Sequence, residues 1–528
     1  MDHLGPILLV LLLAVAALAA VAQALRVPYP IPLVVGGIAL GFVPGMPSVE
    51  LDPDLVLLLF LPPLLYSAAF FSSLRELQAN VGPISLLSVG LVILTTLGVA
   101  AAAHFLIGLP WPVAFVLGAV VSPTDAVAPA AIVRRLGVPR RIVTVIEGES
   151  LTNDWTALVV YRFAVAAVVT GSFSLPRAAL EFVVTGLGGL AVGLVVGWLV
   201  AHVRRRLDDP PTEMAVSLLT AYAAYIPAEE LGVSGVIAAV TVGVYLGWRA
   251  PRLVSSPSTR LQLVSVWEML QFLLNAVLFV LVGLQLPGIL EGLDRYSTGE
   301  LLVQAAIVSG VVVALRLVWG FAALRSPGGA RDCLCRRGEG RPPHAHVAIV
   351  AWSGMRGAVA LAAALAIPLA VAGGDPFPSR DLVIFLAFST ILATLVLQGL
   401  TLPLLIRVLG VEDDGRDDEE EVTARLTAAD AAVERVDALA SESWTYDETV
   451  ERVRGMFDYR RRRFAARADR DGHEAYEHRS AQYTRLMQEA LAAQRAALLD
   501  LRNEGRISDE VMRRVERDLD LEESRLGG

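Results

Sequence analysis

Long apolar runs, nearly free of charge, recur from the start of the chain to Leu409, and they decide which solvent it folds in. Pro6 to Leu25, Pro83 to Leu106, Leu301 to Ala323 and Leu382 to Leu409 are the clearest of them. A helix of roughly 20 apolar residues crosses the hydrocarbon core of a bilayer. There every backbone polar group has to be satisfied internally, so an all-α polytopic fold follows. Composition agrees: 55% of the 528 residues are hydrophobic and the mean hydropathy is +0.58, which excludes an ordinary soluble enzyme. The first run is not preceded by the basic segment of a signal peptide, since only Asp2 and His3 carry polarity before it. It is read as a retained helix.

Punctuating the hydropathy with proline, glycine and charge gives about thirteen spans. The fifth is placed at Trp111–Val133, the sixth at Ile142–Val169, the tenth at Leu263–Leu286 and the twelfth at Val347–Ala372. Arginines concentrate in alternate linkers, among them Arg134–Arg141, Arg204–Arg206, Arg249–Arg260 and Arg325–Arg341. The positive-inside rule places these linkers in the cytoplasm, which puts the N-terminus outside and the C-terminal tail inside. Two domains are expected, a transmembrane domain over residues 1–410 and an acidic, helical cytoplasmic domain over residues 411–528. The formal net charge of −9 belongs to the second, which opens on EDDGRDDEEE. Within it, three- and four-residue apolar spacing predicts amphipathic helices, with a stop at Gly505 and a new N-cap at Ser508. The two cysteines, Cys333 and Cys335, lack a second pair or matching histidines for a zinc site and are read as free thiols.

The polar residues inside the spans carry the functional information, because carboxylates at membrane depth are costly and mark ion or substrate paths. Asp125 falls in the fifth span and Asp154 near the middle of the sixth. Pro123 and Pro129 interrupt helical hydrogen bonding around Asp125, and freed backbone groups survive at that depth only where they line a cavity or find partners. Such breaks coordinate cations in secondary transporters, with Thr124 and Asp125 as oxygen donors here. In the sixth span Glu149, Ser150, Asn153 and Asp154 share one broad helical face. Oxygen ligands without sulfur or imidazole suit a small hard cation. A single carboxylate that holds either a proton or a cation couples the two by competition. Arg356, between Gly354 and Gly357 in the twelfth span, needs a buried partner, for which Glu149 and Asp154 are both candidates. Glu268, Gln271 and Asn275 share a face of the tenth span and either line a funnel or pack against a helix. Arg162 and Arg316 either snorkel or pair with another helix, and Glu147 has no assigned role.

The segments TDAVAP, LGVPRRIVTVIEGESLTND and SGMRGAVALA, with LLLFLPPLLYSAAF and LPWPVAFVLGAVVSPTDAV, resemble the signatures of a known family. It is the sodium/proton antiporter family that includes bacterial NhaP-type proteins and the animal sodium/hydrogen exchangers. The likeness spans about Tyr29 to Leu409, and RISDEVMRRVERDLDLEE resembles the tail of bacterial members. It implies a thirteen-helix homodimer with two inverted six-helix repeats and broken, crossing fifth and twelfth helices. It also implies Asp154 as the transporting carboxylate, with Thr124, Asp125, Ser150 and Asn153 completing the cation site and Glu149 paired structurally with Arg356. The Asn153–Asp154 pair is similar to that of electroneutral exchangers. Two departures stand out: Ala126 replaces the usual proline of T-D-P, and Trp155 is bulkier than the usual small residue.

The expected function is therefore secondary exchange of a monovalent cation, Na⁺ first and K⁺ or Li⁺ as alternatives, for H⁺ across the plasma membrane. It would serve pH and sodium homeostasis through an elevator-like alternating access. Its partners would be those ions, the lipid bilayer and a second copy of the chain, with neither cofactor nor nucleic acid. A cation channel would need a filter-like loop, and none is found. An intramembrane protease built on Asp125 and Asp154 would leave the neighbouring Thr, Ser and Asn unexplained.

Overall fold

The computed structural model describes residues 4–25, 27–44, 53–171, 174–207, 209–253, 257–325, 343–468 and 473–524. Its named elements are all helical, and among the described residues the only β contact is an isolated bridge between Ala370 and Pro376. Cys333, Cys335 and most of the Arg325–Arg341 linker lie outside the described residues. Two compact units emerge, Met1–Asp413 and Asp414–Gly528.

The first unit begins with α1 (Leu4–Leu25), α2 (Pro30–Gly41), α3 (Pro53–Phe71) and the short α4 (Leu74–Ala79). The long α5 (Val81–Ile107) contains π-helical turns at Leu86–Leu91 and Ala103–Ile107. There follow α6 (Trp111–Val121), α7 (Val127–Arg135), α8 (Arg140–Thr170), α9 (Leu175–Arg204), α10 (Pro210–Glu230) and α11 (Gly235–Leu253). The unit closes with α12 (Pro257–Leu284), α13 (Leu286–Glu291), α14 (Thr298–Arg325), α15 (His344–Trp352), α16 (Ala358–Leu365) and α17 (Arg380–Leu409). Among the described residues, five helices are long and apolar enough to cross a membrane.

Some helix ends reach beyond the apolar windows that the sequence marks, and at one of them a polar turn caps the extension. At α10 the helix starts at Pro210, where the Asp209 side chain accepts from the Thr212 amide at 3.1 Å and from its hydroxyl at 2.6 Å. Those bonds, led by the hydroxyl, hold the Asp209 carboxyl below its ordinary range. The twelfth apolar run is shorter than the sequence suggests: its helix ends at Leu365, and residues 366–372 leave it ahead of and around Pro368.

Packing sorts the helices by depth. In α17 72% of the apolar window is buried, against 22% in α9, so α17 is a central post and α9 a peripheral one. The main core gathers Val116, Leu117 and Val120 of α6, Ile142 and Ile146 of α8, Phe279 of α12 and Leu386 and Ile391 of α17. A smaller core joins Tyr66 of α3, Ala201 of α9, Ala221 of α10, Leu246 of α11 and Trp267 of α12. A fully buried ion pair, Arg204 to Glu213 at 3.3 Å, ties α9 to α10 beside it. With lipid as the alternative environment, such close contact and buried polar links hold helices together, not the exclusion of water.

The second unit is two helical hairpins, α18 (Arg416–Leu439) with α19 (Asp447–Ala468) and α20 (His473–Asn503) with α21 (Asp509–Ser524). Ala429 and Val433 are buried in the first with Phe464, over whose ring the Arg425 guanidinium sits at 5.2 Å. Leu491 and Leu519 are buried in the second, where Arg495 bridges Asp520 and Glu523 at 2.6 Å each. Gly505 takes a left-handed φ of 70°, and the Ser508 hydroxyl accepts from the Val511 amide at 3.3 Å to open α21.

Candidate functional site

The site begins where two helices stop being helices. After α6, residues Ser122–Ala126 are non-helical, and α7 starts at Val127. Pro129 then falls in the first turn of α7, where its missing N–H costs nothing. The freed donors find local acceptors: the Val127 amide donates to Asp125 Oδ1 at 2.9 Å and the Ala126 amide to Ser150 Oγ of α8 at 3.3 Å. The break thus falls at residues 122–126 although Ala126 stands where the resembled family has proline.

A second interruption, Ser353–Gly357, separates α15 from α16. The two breaks touch. The Asp125 amide donates to the Met355 carbonyl at 2.9 Å, and Arg356 Nε donates to the Val121 carbonyl, at the end of α6, at 2.8 Å. Arg356 Nη1 donates to the Gly354 carbonyl at 3.1 Å, and the Arg356 amide is taken by Thr394 Oγ1 of α17 at 3.1 Å. A cation against carbonyls at a helix C-terminus, and a carboxylate at the N-terminus of α7, each match the local dipole. Gly357 makes the crossing possible, since a Cβ there would stand 2.5 Å from Cβ and Oδ2 of Asp125.

Glu149 corrects the expected ion pair. Its partner is Arg316 of α14, not Arg356: Arg316 Nη1 donates to Glu149 Oε1 and Nη2 to Oε2, the latter at 2.8 Å. Arg316 also donates to the Ala351 carbonyl at 3.1 Å and the Val350 carbonyl at 3.0 Å, capping the end of α15. Both side chains are 2% exposed. The reason is geometric. Arg356 spends its donors on backbone carbonyls of the crossing, with Nη2 making no hydrogen bond to any described residue, whereas Arg316 meets Glu149 with a fork matched to both oxygens.

From Glu149 a hydrogen-bond chain runs back to the break. Thr124 Oγ1 donates to Glu149 Oε1 at 2.8 Å, and Asn153 Nδ2 donates to Thr124 Oγ1 at 2.7 Å and to the Thr124 carbonyl at 3.0 Å. Asn153 Oδ1 is buried without a hydrogen bond to any described residue.

Next to this network lies a cavity of about 540 Å³, lined by Thr124, Asp125, Ser150 and Asp154 together with Tyr29 and Ser67. Asp154 is 7% exposed and its side chain makes no hydrogen bond or ion pair with any described residue, so its carboxylate is left to the cavity. Four of the five residues predicted for the cation site therefore share one cavity wall. Asn153 is not among its lining residues and reaches it through Thr124. Glu268, Gln271 and Asn275 of α12 line the cavity too. Glu147 pairs with Arg134 at 2.6 Å at the more exposed end, and Arg162 pairs with Glu229 of α10 at 2.9 Å. Tyr29 and Ser67 gave no sequence signal, since a tyrosine at a helix start and a serine in an apolar helix are ordinary.

The geometry can be set beside known proteins. The sequence profile of the family described as "Sodium/hydrogen exchanger, transmembrane" matches residues 9–408. A Mycobacterium bovis protein named as an uncharacterized Na⁺/H⁺ exchanger is 38% identical over 505 residues, covering 95% of this chain and 92% of that protein. The sodium, potassium, lithium and rubidium/H⁺ antiporter of Bacillus pumilus is 36% identical over 394 residues, covering 72% of this chain and 58% of that protein. Among solved structures, the sodium proton antiporter MjNhaP1 of Methanocaldococcus jannaschii superposes with a TM-score of 0.60 at 21% identity. That likeness covers 78% of this chain and 99% of the other.

Proposed function

This chain belongs to the sodium/hydrogen exchanger family, and from that premise we propose that it exchanges Na⁺ for H⁺, one for one, at Asp154. The observation that carries the proposal is the Asp154 carboxylate, which lines the cavity with no side-chain partner among the described residues. A group in that position can hold a proton or a cation but not both, and competition between them couples the two flows. Asp125, Ser150 and Thr124 supply further oxygens on the same wall, and Asn153 acts by fixing Thr124. The Glu149–Arg316 pair holds this wall in place and stays outside the exchange.

The family resemblance supports thirteen spans in two inverted sets, a homodimer, and a rigid movement of the crossing that exposes Asp154 alternately to either side. The arginine-rich linkers support a plasma-membrane orientation with the N-terminus outside and the acidic unit in the cytoplasm. Having asparagine, not a second aspartate, before Asp154 supports electroneutral exchange and a role in pH and sodium homeostasis. The Bacillus relative, named for four alkali cations, favours a second reading in which K⁺ is also carried.

The test is reconstitution into acid-loaded vesicles with Na⁺, Li⁺ or K⁺ added outside. Cation-dependent alkalinisation, insensitive to imposed voltage and lost in Asp154→Asn, is expected. Full activity in Asp154→Asn, or no cation-dependent alkalinisation by the parent, overturns the proposal.

A further inference from the structure

Asp154 lines the cavity, and the residue after it does not. Trp155 turns its indole onto α9 instead, stacked on Phe182 with ring centroids 4.0 Å apart and planes 29° from parallel. One turn along α9, Gly186 leaves the notch that takes the ring: a Cβ there would stand 2.7 Å from Trp155 Cζ2 and 3.0 Å from Cη2. Trp155 Nε1 is buried and hydrogen-bonded to no described residue, so the indole is held by shape and stacking. The bulk that sets this residue apart from the resembled family thus has a place built for it.

The helices that receive the ring are tightly joined to each other. Cβ atoms at Gly189 and Gly193 of α9 would stand 2.5 Å from the Ser234 carbonyl oxygen and 2.6 Å from the Ala238 carbonyl oxygen, at the start of and within α11. The Ser234 amide also donates to the Thr185 carbonyl of α9 at 3.1 Å. Small residues let these backbones meet directly, which leaves little room to slide. α8 meets the same helices with side chains on one face, at i, i+3 and i+7. Trp155 fills the notch, Leu158 packs with it on the cluster of Tyr225, Val236 and Ala239, and Arg162 pairs with Glu229 of α10 at 2.9 Å. Elsewhere on α8, Glu149 and Asn153 bind it to Arg316 and to the first break.

We infer that Trp155 is a positioning residue that sets the speed of exchange: seated in the Gly186 notch it holds α8 against α9 in the arrangement described here, and turnover waits on its release. This rests on the proposed exchange at Asp154, which needs that carboxylate exposed to each side in turn. It adds the contact that governs how readily the neighbouring helix changes place. A contact made in one arrangement and lost in the next deepens the first and slows departure from it.

The experiment measures cation KM and kcat in the vesicle assay for Trp155→Phe, Gly186→Ala, their combination and the milder Phe182→Leu. Trp155→Phe withdraws the ring from the notch and Gly186→Ala fills the notch from the other side. Each is expected to raise kcat about threefold or more with KM little changed. The combination is expected to be no faster than either single variant, since both remove the same contact. Phe182→Leu removes the stacking partner but leaves the notch, and raises kcat less. A tryptophan with only a packing role predicts the reverse, a loss of thermal stability accompanied by a lower kcat. Unchanged or lowered kcat in Trp155→Phe, a change confined to KM, or effects that add in the combination overturn the inference. So does Phe182→Leu at the parental rate, which keeps the test decisive if neither notch variant folds. A parent that exchanges nothing defeats the proposal at Asp154; a working parent with unmoved notch variants defeats the role of Trp155 alone.

Discussion

The two helix interruptions share a plan and differ in chemistry. Each ends one half-helix in carbonyls that an arginine from elsewhere covers: Arg356 takes Val121 of the first break, and Arg316 takes Val350 and Ala351 before the second. Beyond that they diverge. The first break shows Thr124, Asp125 and Ala126 to the cavity, whereas the second is buried from Ser353 to Gly357 and reaches the cavity only with Gly357. On the proposed exchange, one break is the working surface and the other its backing. Backbone groups freed by the first break are thus satisfied by the second, the Asp125 amide by the Met355 carbonyl and the Val121 carbonyl by Arg356.

Three substitutions break or sharpen that contrast. The largest effect is expected at Arg316→Met, which leaves Glu149 charged, buried and unpaired and strips two carbonyls of their cap. Removing one partner of a buried pair costs about 3–5 kcal/mol. Thermal unfolding in detergent measures it, and Arg316→Met combined with Glu149→Leu should recover much of the loss; a single variant as stable as the parent breaks the comparison. Next comes Gly357→Ala, whose methyl would stand 2.5 Å from Asp125 and push the working break off its backing. Overpacking of this kind costs about 1–3 kcal/mol, and a displaced site residue lowers transport by about tenfold or more. Vesicle flux that falls far more than the melting temperature supports the division of labour, and parallel losses argue against it. The smallest effect belongs to Thr394→Val, which removes the acceptor for the Arg356 amide and costs about 1 kcal/mol. Transport should survive it; an abolished flux in a stable protein would mean the backing break takes part directly.

The sequence makes the breaks legible because their causes are local. Pro123 and Pro129, and Gly354 beside Gly357, announce interruptions within a few residues of where they occur. The acidic face of α8 and the polar face of α12 are legible for the same reason, being fixed by helical periodicity. The choice of Arg316 over Arg356 for Glu149 is of another kind. Both arginines lie in apolar spans far along the chain, and only the tertiary arrangement that brings the Arg316 side chain to Glu149 of α8 decides between them. Glu147 is similar, since its pairing with Arg134 depends on how α7 folds back along α8. In the twelfth run hydropathy alone overstates the helix, because apolar residues 366–372 read the same whether helical or not.

The size of the cavity has a consequence for ion choice. At about 540 Å³ it has room for on the order of ten or more water molecules. Under the proposed exchange, an alkali ion moving through it would keep most of its shell until it met the wall at Asp154, which would confine the dehydration that separates Li⁺ from Na⁺ from K⁺ to the last few contacts. Discrimination is then a property of the spacing among a handful of oxygens around Asp154.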